Sequence, residues 1–203
     1  MRKENIFEDM TDEELAGQVQ AGSFACYEIL VHRYSRRLYA FVFARIGFSQ
    51  ASEDIVQETF LKGFRNIRRY DQKYKFSTWL YTIALRQTIS QYRKKRDVPP
   101  YEQGYNSEDP ETVLIKGEQS DMIWRAVKKL KSDQQSAVWL RYKEDLSIRE
   151  IAGVMKKTEV SVRTLLYRAR QSLFREMERE DMNKSKNSGK ERLNGQFLRE
   201  SAK

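Results

Sequence analysis

Cysteine, histidine, proline and glycine are all scarce in this chain of 203 residues, which has one Cys, one His, three Pro and nine Gly. A single cysteine excludes an internal disulfide framework, and Cys26 with His32 would need several carboxylate ligands to complete a zinc site. Few prolines and glycines argue against architectures built from strands and turns. The sequence therefore predicts an all-α protein that binds no metal and no cofactor.

Long apolar segments are also lacking. Hydrophobic residues make up 39% of the chain, charged residues make up 33%, and the mean hydropathy is −0.79. No apolar run approaches the roughly 20 residues of a membrane-spanning helix, and the N-terminus leads into an acidic stretch instead of an apolar signal core. We expect a soluble protein of the cytoplasm without membrane insertion.

Motifs of catalysis are missing as well. The sequence has no glycine-rich phosphate loop and no Gly-x-Ser-x-Gly motif, and a single histidine nearly excludes the usual pairs of nucleophile and base. We therefore expect a protein that is not an enzyme.

Positive charge is concentrated in one part of the chain. The net charge is +9, but residues 62–96 alone contain eleven basic residues and one acid. Residues 97–120 contain six acids, one Lys and all three prolines, which predicts an acidic linker. The domains would then span residues 1–96 and 121–180, with a disordered basic tail at 181–203. A basic patch of this density favours nucleic acid as the partner.

Apolar residues recur at the three- and four-residue spacing of helices on both sides of the linker. In the N-terminal part this predicts one long helix around residues 27–42, a second around 56–67 after a break at 47–52, and a third from Ser77. In the C-terminal part it predicts helices near residues 121–129, 133–143, 148–155 and 159–178.

The last two of these helices have the proportions of a helix-turn-helix, with Ser147 and Thr158 as N-caps. Once the apolar stripe is set aside, the second helix presents a polar and cationic face: Ser161, Arg163, Thr164, Tyr167, Arg168 and Arg170. Such a face suits base edges and phosphates in a major groove. The alternative is an ordinary solvated helix face.

Aromatic residues are interleaved with the basic ones in the N-terminal part: Phe64, Tyr70, Tyr74, Phe76, Trp79, Tyr81 and Tyr92. Aromatic rings stack on unpaired bases while Lys and Arg follow the backbone, so this pattern suits single-stranded nucleic acid. For Phe64 and Trp79 we expect a place in the core; for Tyr74, Phe76 and Tyr81 both roles stay open.

Three sequence blocks follow one another in the chain: Ala51-Ser-Glu-Asp-Ile-Val-Gln-Glu-Thr-Phe-Leu-Lys, Phe76-Ser-Thr-Trp-Leu-Tyr-Thr-Ile-Ala, and the helix-turn-helix that ends in Tyr167-Arg-Ala-Arg. With the acidic linker between them, they resemble the extracytoplasmic-function (ECF, group IV) RNA polymerase sigma factors of bacteria. The resemblance implies two small helical domains, sigma region two and sigma region four, joined by a flexible linker. It also implies a non-catalytic factor that directs polymerase to the promoters of a stress or envelope response.

The resemblance also implies roles for individual residues. Region two would dock on the clamp helices of the largest catalytic subunit of RNA polymerase through Asp54, Gln57, Glu58 and Leu61, which on physical grounds alone form only an outer helix face. It would bind the melted minus-ten element as a single strand through Lys73, Tyr74, Lys75, Phe76, Trp79, Arg86, Arg93 and Lys94.

Region four would contact the flap region of the second polymerase subunit and recognise the minus-thirty-five element of promoter DNA as duplex. The implied duplex contacts are Lys157, Ser161, Arg163, Thr164, Tyr167, Arg168 and Arg170. The usual further partner of the family is an anti-sigma factor.

Four positions depart from the family pattern, and two other functions stay open. Members commonly have Arg-Asn where this chain has Leu85 and Arg86, and an Asp four residues beyond that Asn where it has Ser90. They usually have Gly in the helix-turn-helix turn where this chain has Lys156. A free-standing helix-turn-helix regulator, or an RNA-binding adaptor that uses only the basic block, would also fit the motifs. The aromatic-rich basic block favours the sigma factor, because an ordinary regulator has no need of it.

Overall fold

The described part of the chain is helical. The computed structural model describes residue 7, residues 9–96 and residues 126–200, with side chains to residue 91 in the first stretch and to residue 179 in the second. Within these ranges no residue lies in a β-strand, which confirms the predicted all-α fold. The helices are α1 (Asp12–Gln20), α2 (Phe24–Ile46), α3 (Ser49–Asn66), a 3-10 turn (Ile67–Arg69), α4 (Phe76–Arg96), α5 (Ser132–Tyr142), α6 (Ile148–Met155) and α7 (Glu159–Glu200).

The central element of the N-terminal domain is α2, against which α1, α3 and α4 all pack. Its buried stripe follows the predicted spacing and contains Cys26, Tyr27, Leu30, Tyr34, Leu38, Phe41 and Val42. Cys26 is fully buried, and its Sγ accepts a hydrogen bond from the Ser23 hydroxyl at 3.2 Å. The helix ends at Gly47, whose φ of +75° is a left-handed conformation that glycine adopts without strain and that turns the chain into α3.

The loop between α3 and α4 is fastened to α1. The Gln20 side-chain amide donates to the carbonyls of Ile67 at 2.9 Å and Tyr70 at 2.7 Å. The Glu13 carboxylate accepts from the Phe76 backbone amide at 2.8 Å, and so satisfies one of the unpaired donors in the first turn of α4. These contacts fix where α4 begins.

The C-terminal domain contains the predicted helix-turn-helix, formed by α6 and α7 and supported by α5. Ser147 and Glu150 form a capping box, in which the Glu150 amide donates to Ser147 Oγ at 3.2 Å and the Ser147 amide donates to Glu150 Oε2 at 2.7 Å. The Thr158 hydroxyl accepts from the Ser161 amide at 3.2 Å. Both predicted N-caps are confirmed.

The turn of the helix-turn-helix tolerates a side chain where the family commonly has glycine. Lys156 ends α6 in a left-handed conformation, with φ +52° and ψ +47°. The next amide, that of Lys157, donates to the Ala152 carbonyl at 3.0 Å and closes the end of the helix. The geometry expected for glycine is therefore kept, at the steric cost of a left-handed Lys.

The segment after residue 180 differs from the predicted disordered tail, because the backbone of α7 continues to Glu200. Its polar composition led to the prediction of disorder. The same composition is rich in Lys, Arg and Glu, which favour helices, and it contains no proline that would end one. The predicted linker, residues 97–120, lies outside the described residues.

The two domains are in contact, an arrangement that the sequence did not predict. In this contact α6 packs against α4, and α5 packs against α2. Arg37 of α2 forms an ion pair with Glu144 at 3.3 Å. Arg45, near the end of the same helix, forms a second ion pair with Asp133 at 3.4 Å.

We predict that Ser147→Ala lowers the free energy of unfolding by about 1 kcal/mol, because the first turn of α6 loses the oxygen that accepts from the Glu150 amide. Urea denaturation followed by circular dichroism measures the change. The control is Gln171→Ala at an exposed position of α7, with an expected change below about 0.5 kcal/mol. Equal effects of the two substitutions would contradict the capping role.

Candidate nucleic-acid interface

The outer half of α7 and the turn before it present all the residues that the sequence predicts for duplex DNA. Those with exposed side chains are Lys157, Ser161, Arg163, Thr164, Tyr167, Arg168 and Arg170. The opposite half is buried through Val162, Leu166 and Ala169. Because this buried stripe fixes the rotation of α7, the exposed side chains lie together on one side of the domain.

Among the residues that the structure describes, Arg163 of this surface is held only by an exposed ion pair. Its guanidinium pairs with Glu159 at 3.5 Å, and both side chains are exposed. An exposed pair of this kind contributes little stability. Its replacement by a base edge or a phosphate therefore costs little.

Val160 is an exposed residue of this surface that the sequence analysis missed. Its side chain is 73% exposed in the first turn of α7, beside the predicted contacts. An apolar side chain at such a place suits the methyl group of thymine in the major groove. The sequence could have indicated this exposure, because Val160 lies outside the buried stripe that starts at Val162.

In the N-terminal domain, the loop before α4 presents Lys73, Tyr74 and Lys75 to solvent, and Tyr74 is 64% exposed. The loop is held by its own hydrogen bonds, because the Tyr70 hydroxyl donates to the Tyr74 carbonyl at 2.6 Å. Along α4, Trp79 is half-buried and Arg86 is exposed. The backbone of α4 includes Arg93 and Lys94, but their side chains lie outside the described residues.

Phe76 corrects the predicted single-strand contacts, because it belongs to the core. Its side chain is 1% exposed and its ring lies about equally far from three other rings, 5.5 Å from Tyr34, 5.5 Å from Tyr70 and 5.6 Å from Trp79. Tyr81, whose role stayed open, is also buried. A ring enclosed in this way has no face for a base.

Phe64 also differs from the sequence prediction, because it is more exposed than predicted. It was expected in the core, yet it is 40% exposed. Its ring meets that of Phe24 edge to face with centroids 5.5 Å apart, and Phe24 is also exposed. Helical spacing places Phe64 next to the buried stripe of α3, and within the described residues the rings of Phe24 and Tyr27 cover it only in part.

The outer face of α3 presents the residues that resemblance assigns to polymerase. Asp54, Gln57 and Leu61 are exposed, with Leu61 at 50%, and Glu58 is half-buried. Glu58 pairs with Lys62 one turn later at 3.1 Å. The helix thus offers an apolar side chain within a row of acidic and amide groups, as predicted.

The described residues offer no metal site and no membrane span. Among them, no group of three or more His, Cys, Asp and Glu side chains is placed to hold a metal ion. None of their helices is both long enough and apolar enough to cross a bilayer.

Comparison with known proteins supports the resemblance. The family model of sigma-70 region 2 matches residues 30–98, and that of sigma-70 region 4 matches residues 120–173. The ECF RNA polymerase sigma-E factor of Salmonella typhimurium LT2 is 30% identical over 180 residues, which cover 82% of this chain and 94% of that protein. This chain belongs to the family of ECF RNA polymerase sigma factors. Members of this family are transcription initiation factors and not enzymes.

A second relative agrees with this assignment, and a solved structure shares the fold. The ECF sigma factor BldN of Streptomyces coelicolor is 32% identical over 169 residues, which cover 80% of this chain and 64% of that protein. The sigma factor RpoE of Bartonella quintana, solved with the anti-sigma factor NepR, has the same fold with a TM-score of 0.64. That match has 20% identity and covers 75% of this chain and 96% of the other.

We predict that Phe76→Ala lowers the stability of the fold, whereas Tyr74→Ala weakens the binding of single-stranded DNA. Phe76→Ala lowers the free energy of unfolding by about 3–5 kcal/mol, because it opens a cavity in the core. Tyr74→Ala changes stability by less than about 0.5 kcal/mol, but it weakens binding of single-stranded DNA by about 1–3 kcal/mol through the loss of a stacking ring.

Urea denaturation measures the first effect, and fluorescence anisotropy with a labelled single-stranded oligonucleotide measures the second. Unchanged stability of the Phe76→Ala variant would contradict its place in the core. Unchanged DNA binding of the Tyr74→Ala variant would remove Tyr74 from the interface.

Proposed function

We propose that this ECF sigma factor, of the group IV type, directs core RNA polymerase to specific promoters in two ways. It recognises the duplex minus-thirty-five element through α7, and it binds the single-stranded minus-ten element through the N-terminal domain. The observation that carries the proposal is the surface formed by the outer half of α7 and the turn before it, where every predicted duplex contact is exposed and the buried stripe of α7 lies opposite.

The chemistry of α7 supports recognition of a duplex. Arg163 and Arg168 can donate two parallel hydrogen bonds to guanine, and Thr164 and Val160 can contact the methyl of thymine. Lys157 and Ser161 lie at the N-terminal end of the helix, where the helix dipole and the first amides attract a phosphate. Base contacts and phosphate contacts are thus available on one surface.

The loop before α4 supports binding of a single strand. Tyr74 offers an exposed ring for stacking, while Lys73, Lys75 and Arg86 offer positive charge along the path of a backbone. Arg93 and Lys94 would extend this path, and Trp79 would line its half-buried side. Phe76 acts by supporting Trp79 and Tyr70 from below.

The outer face of α3, with Asp54, Gln57, Glu58 and Leu61, is the proposed docking surface for the clamp helices of the largest polymerase subunit. Region four is proposed to contact the flap region of the second subunit. An anti-sigma factor is the proposed inhibitory partner, and the cytoplasm is the proposed location. The genes served belong to a stress or envelope response.

The decisive experiment is transcription in vitro by core polymerase, with and without this protein, on a pool of genomic promoter fragments. We expect protein-dependent start sites that share two upstream motifs at a fixed spacing. No such start sites, from a preparation that still binds duplex DNA, would favour a free-standing helix-turn-helix regulator. Binding of single-stranded RNA alone, which survives deletion of the helix-turn-helix, would favour an RNA-binding adaptor.

We predict that Arg163→Ala weakens discrimination between the cognate minus-thirty-five duplex and a mutated one by about 1–3 kcal/mol. The control is Arg175→Ala, which removes the same charge about three turns further along α7 and leaves the discrimination unchanged. Competition binding with both duplexes measures it. An equal loss on both duplexes would show that Arg163 contacts only phosphate.

We predict that Asp54→Ala combined with Gln57→Ala weakens binding to core polymerase by more than about thirtyfold, the loss expected for a docking hot spot of about 2 kcal/mol. The matched control combines Glu28→Ala and Gln18→Ala, an acid and an amide at exposed positions of α2 and α1. Co-purification and circular dichroism measure binding and folding. Unchanged binding of the first pair would refute the docking surface.

A further inference from the structure

Two of the four cations that the sequence predicts for duplex DNA form ion pairs with carboxylates of the same domain. Lys157 Nζ lies 3.1 Å from Asp133 Oδ2, and Arg163 Nη2 lies 3.5 Å from Glu159 Oε2. DNA phosphates bind proteins independently of sequence through cations of this kind. The two acids therefore occupy groups that a phosphate would otherwise bind.

The ion pair of Lys157 joins separate elements of the C-terminal domain. Arg163 and Glu159 lie one turn apart on α7, whereas Lys157 lies in the turn between α6 and α7 and Asp133 lies in the first turn of α5. The side chains of Lys157 and Asp133 are 35% and 42% exposed. This pair thus lies at the edge of the duplex surface, where solvent and a phosphate can reach it.

Asp133 has two structural roles that do not need Lys157. Its negative charge lies in the first turn of α5, where the helix dipole favours an acid. Its Oδ1 lies 3.4 Å from Arg45 Nη2. The other carboxylate oxygen, Oδ2, is the one that binds Lys157. The pair with Lys157 is therefore an additional contact of this acid.

The position of Lys157 brings its ammonium close to the place that favours a phosphate. The backbone is fixed, because the Lys157 amide donates to the Ala152 carbonyl at 3.0 Å and the Thr158 hydroxyl caps α7 by accepting from the Ser161 amide at 3.2 Å. The dipole of α7 attracts an anion at this end of the helix. Only the flexible side chain of Lys157 has to move to bind one.

Asp133 and a phosphate compete for this ammonium. An ammonium has three donors, but a carboxylate and a phosphate on the same group repel each other. The exchange is easy, because an ion pair between exposed side chains is weak. Binding of a phosphate by Lys157 therefore leaves the Asp133 carboxylate without this partner.

The competition changes the salt dependence of binding as well as the affinity. A lysine that binds a phosphate releases a condensed cation from the DNA, with a slope of about 0.9 per contact. When Lys157 leaves Asp133, the carboxylate attracts a cation from solution. Part of the release is then lost, and the affinity depends less steeply on salt.

We propose that Asp133 is an internal counterion of Lys157, which competes with a DNA phosphate and so limits the sequence-independent affinity of the duplex surface. Asp133 acts through Lys157 and is a positioning residue. The inference rests on the proposed function of α7 in duplex binding. It adds to that function an acid on α5 that lowers the affinity for DNA.

The test measures the binding of a fluorescein-labelled duplex of random sequence to the full chain by fluorescence anisotropy at several salt concentrations. The duplex has about 20 base pairs, about two turns of DNA. We expect Asp133→Asn to bind about threefold to fivefold more tightly than wild type. The slope of log affinity against log salt becomes steeper by up to about 0.9.

The control Glu178→Gln removes the same charge at an exposed position about five turns along α7. At that distance salt screens the charge from Lys157, so we expect wild-type affinity and slope.

The Lys157→Gln background separates the competition from a general effect of charge. Asp133→Asn removes a negative charge and the ion pair with Arg45 whether or not Lys157 is present. Only the competition needs Lys157. We therefore expect Asp133→Asn to change the affinity by less than about twofold in the Lys157→Gln background.

A second variant guards against misfolding. Asp133→Ser removes the charge and keeps a small polar side chain in the first turn of α5, and we expect the same gain in affinity. Circular dichroism confirms that each variant keeps its helices.

Wild-type affinity of both Asp133 variants would overturn the competition, and so would an equal gain with and without Lys157. In either case the binding of the duplex by wild type keeps the proposed function. If neither wild type nor the Asp133 variants bind the duplex, the duplex function of α7 fails, and the inference fails with it.

Discussion

The packing of α2 is the constraint on which the rest of the structure depends. Three helices of the N-terminal domain pack against this helix, and α5 of the other domain contacts it as well. Burial of Leu30 and Leu38 fixes its rotation. The same rotation directs Arg37 and Arg45 toward the C-terminal domain. An apolar stripe therefore determines where two charges lie, and those charges pair with Glu144 and Asp133 of the second domain.

Under the proposed function, the two domains have two different recognition problems to solve. A duplex offers base edges only in its grooves, so it is matched by a helix whose exposed half is polar and whose rotation is fixed, as in α7. A single strand exposes the faces of its bases, so it is matched by a loop that presents a ring such as Tyr74 among cations. Both surfaces rest on rigid elements, because α7 is fixed by its buried stripe and the loop by the Tyr70 hydroxyl.

The sequence predicted well what depends on neighbouring residues. The N-caps at Ser147 and Thr158 and the apolar stripes of α2 and α7 are local patterns, so the helix-turn-helix and its exposed face follow directly from them. The outer face of α3 was predictable for the same reason. Its amphipathic spacing alone places Asp54 and Leu61 outside.

What the sequence did not predict depends on distant contacts. Phe76 and Phe64 are both aromatic residues in a basic segment. Contacts with α1 and with the ring of Tyr34 help to enclose the first, whereas the second is left 40% exposed. The sequence offered no means of recognising Arg37 and Glu144 as an ion pair among the many charges of the chain. The two residues are 107 positions apart. The docking of the domains is therefore a property of the folded chain alone.

The buried thiol of Cys26 is a natural reporter of opening in the N-terminal domain. It is the only cysteine, it is fully buried, and it lies in the helix around which the N-terminal domain is built. A thiol reacts with an alkylating reagent only when it is accessible and ionised. The rate of alkylation therefore reports how often this one domain opens, without any substitution in the chain. Slower alkylation in the presence of a partner would give the free energy by which that partner stabilises the domain.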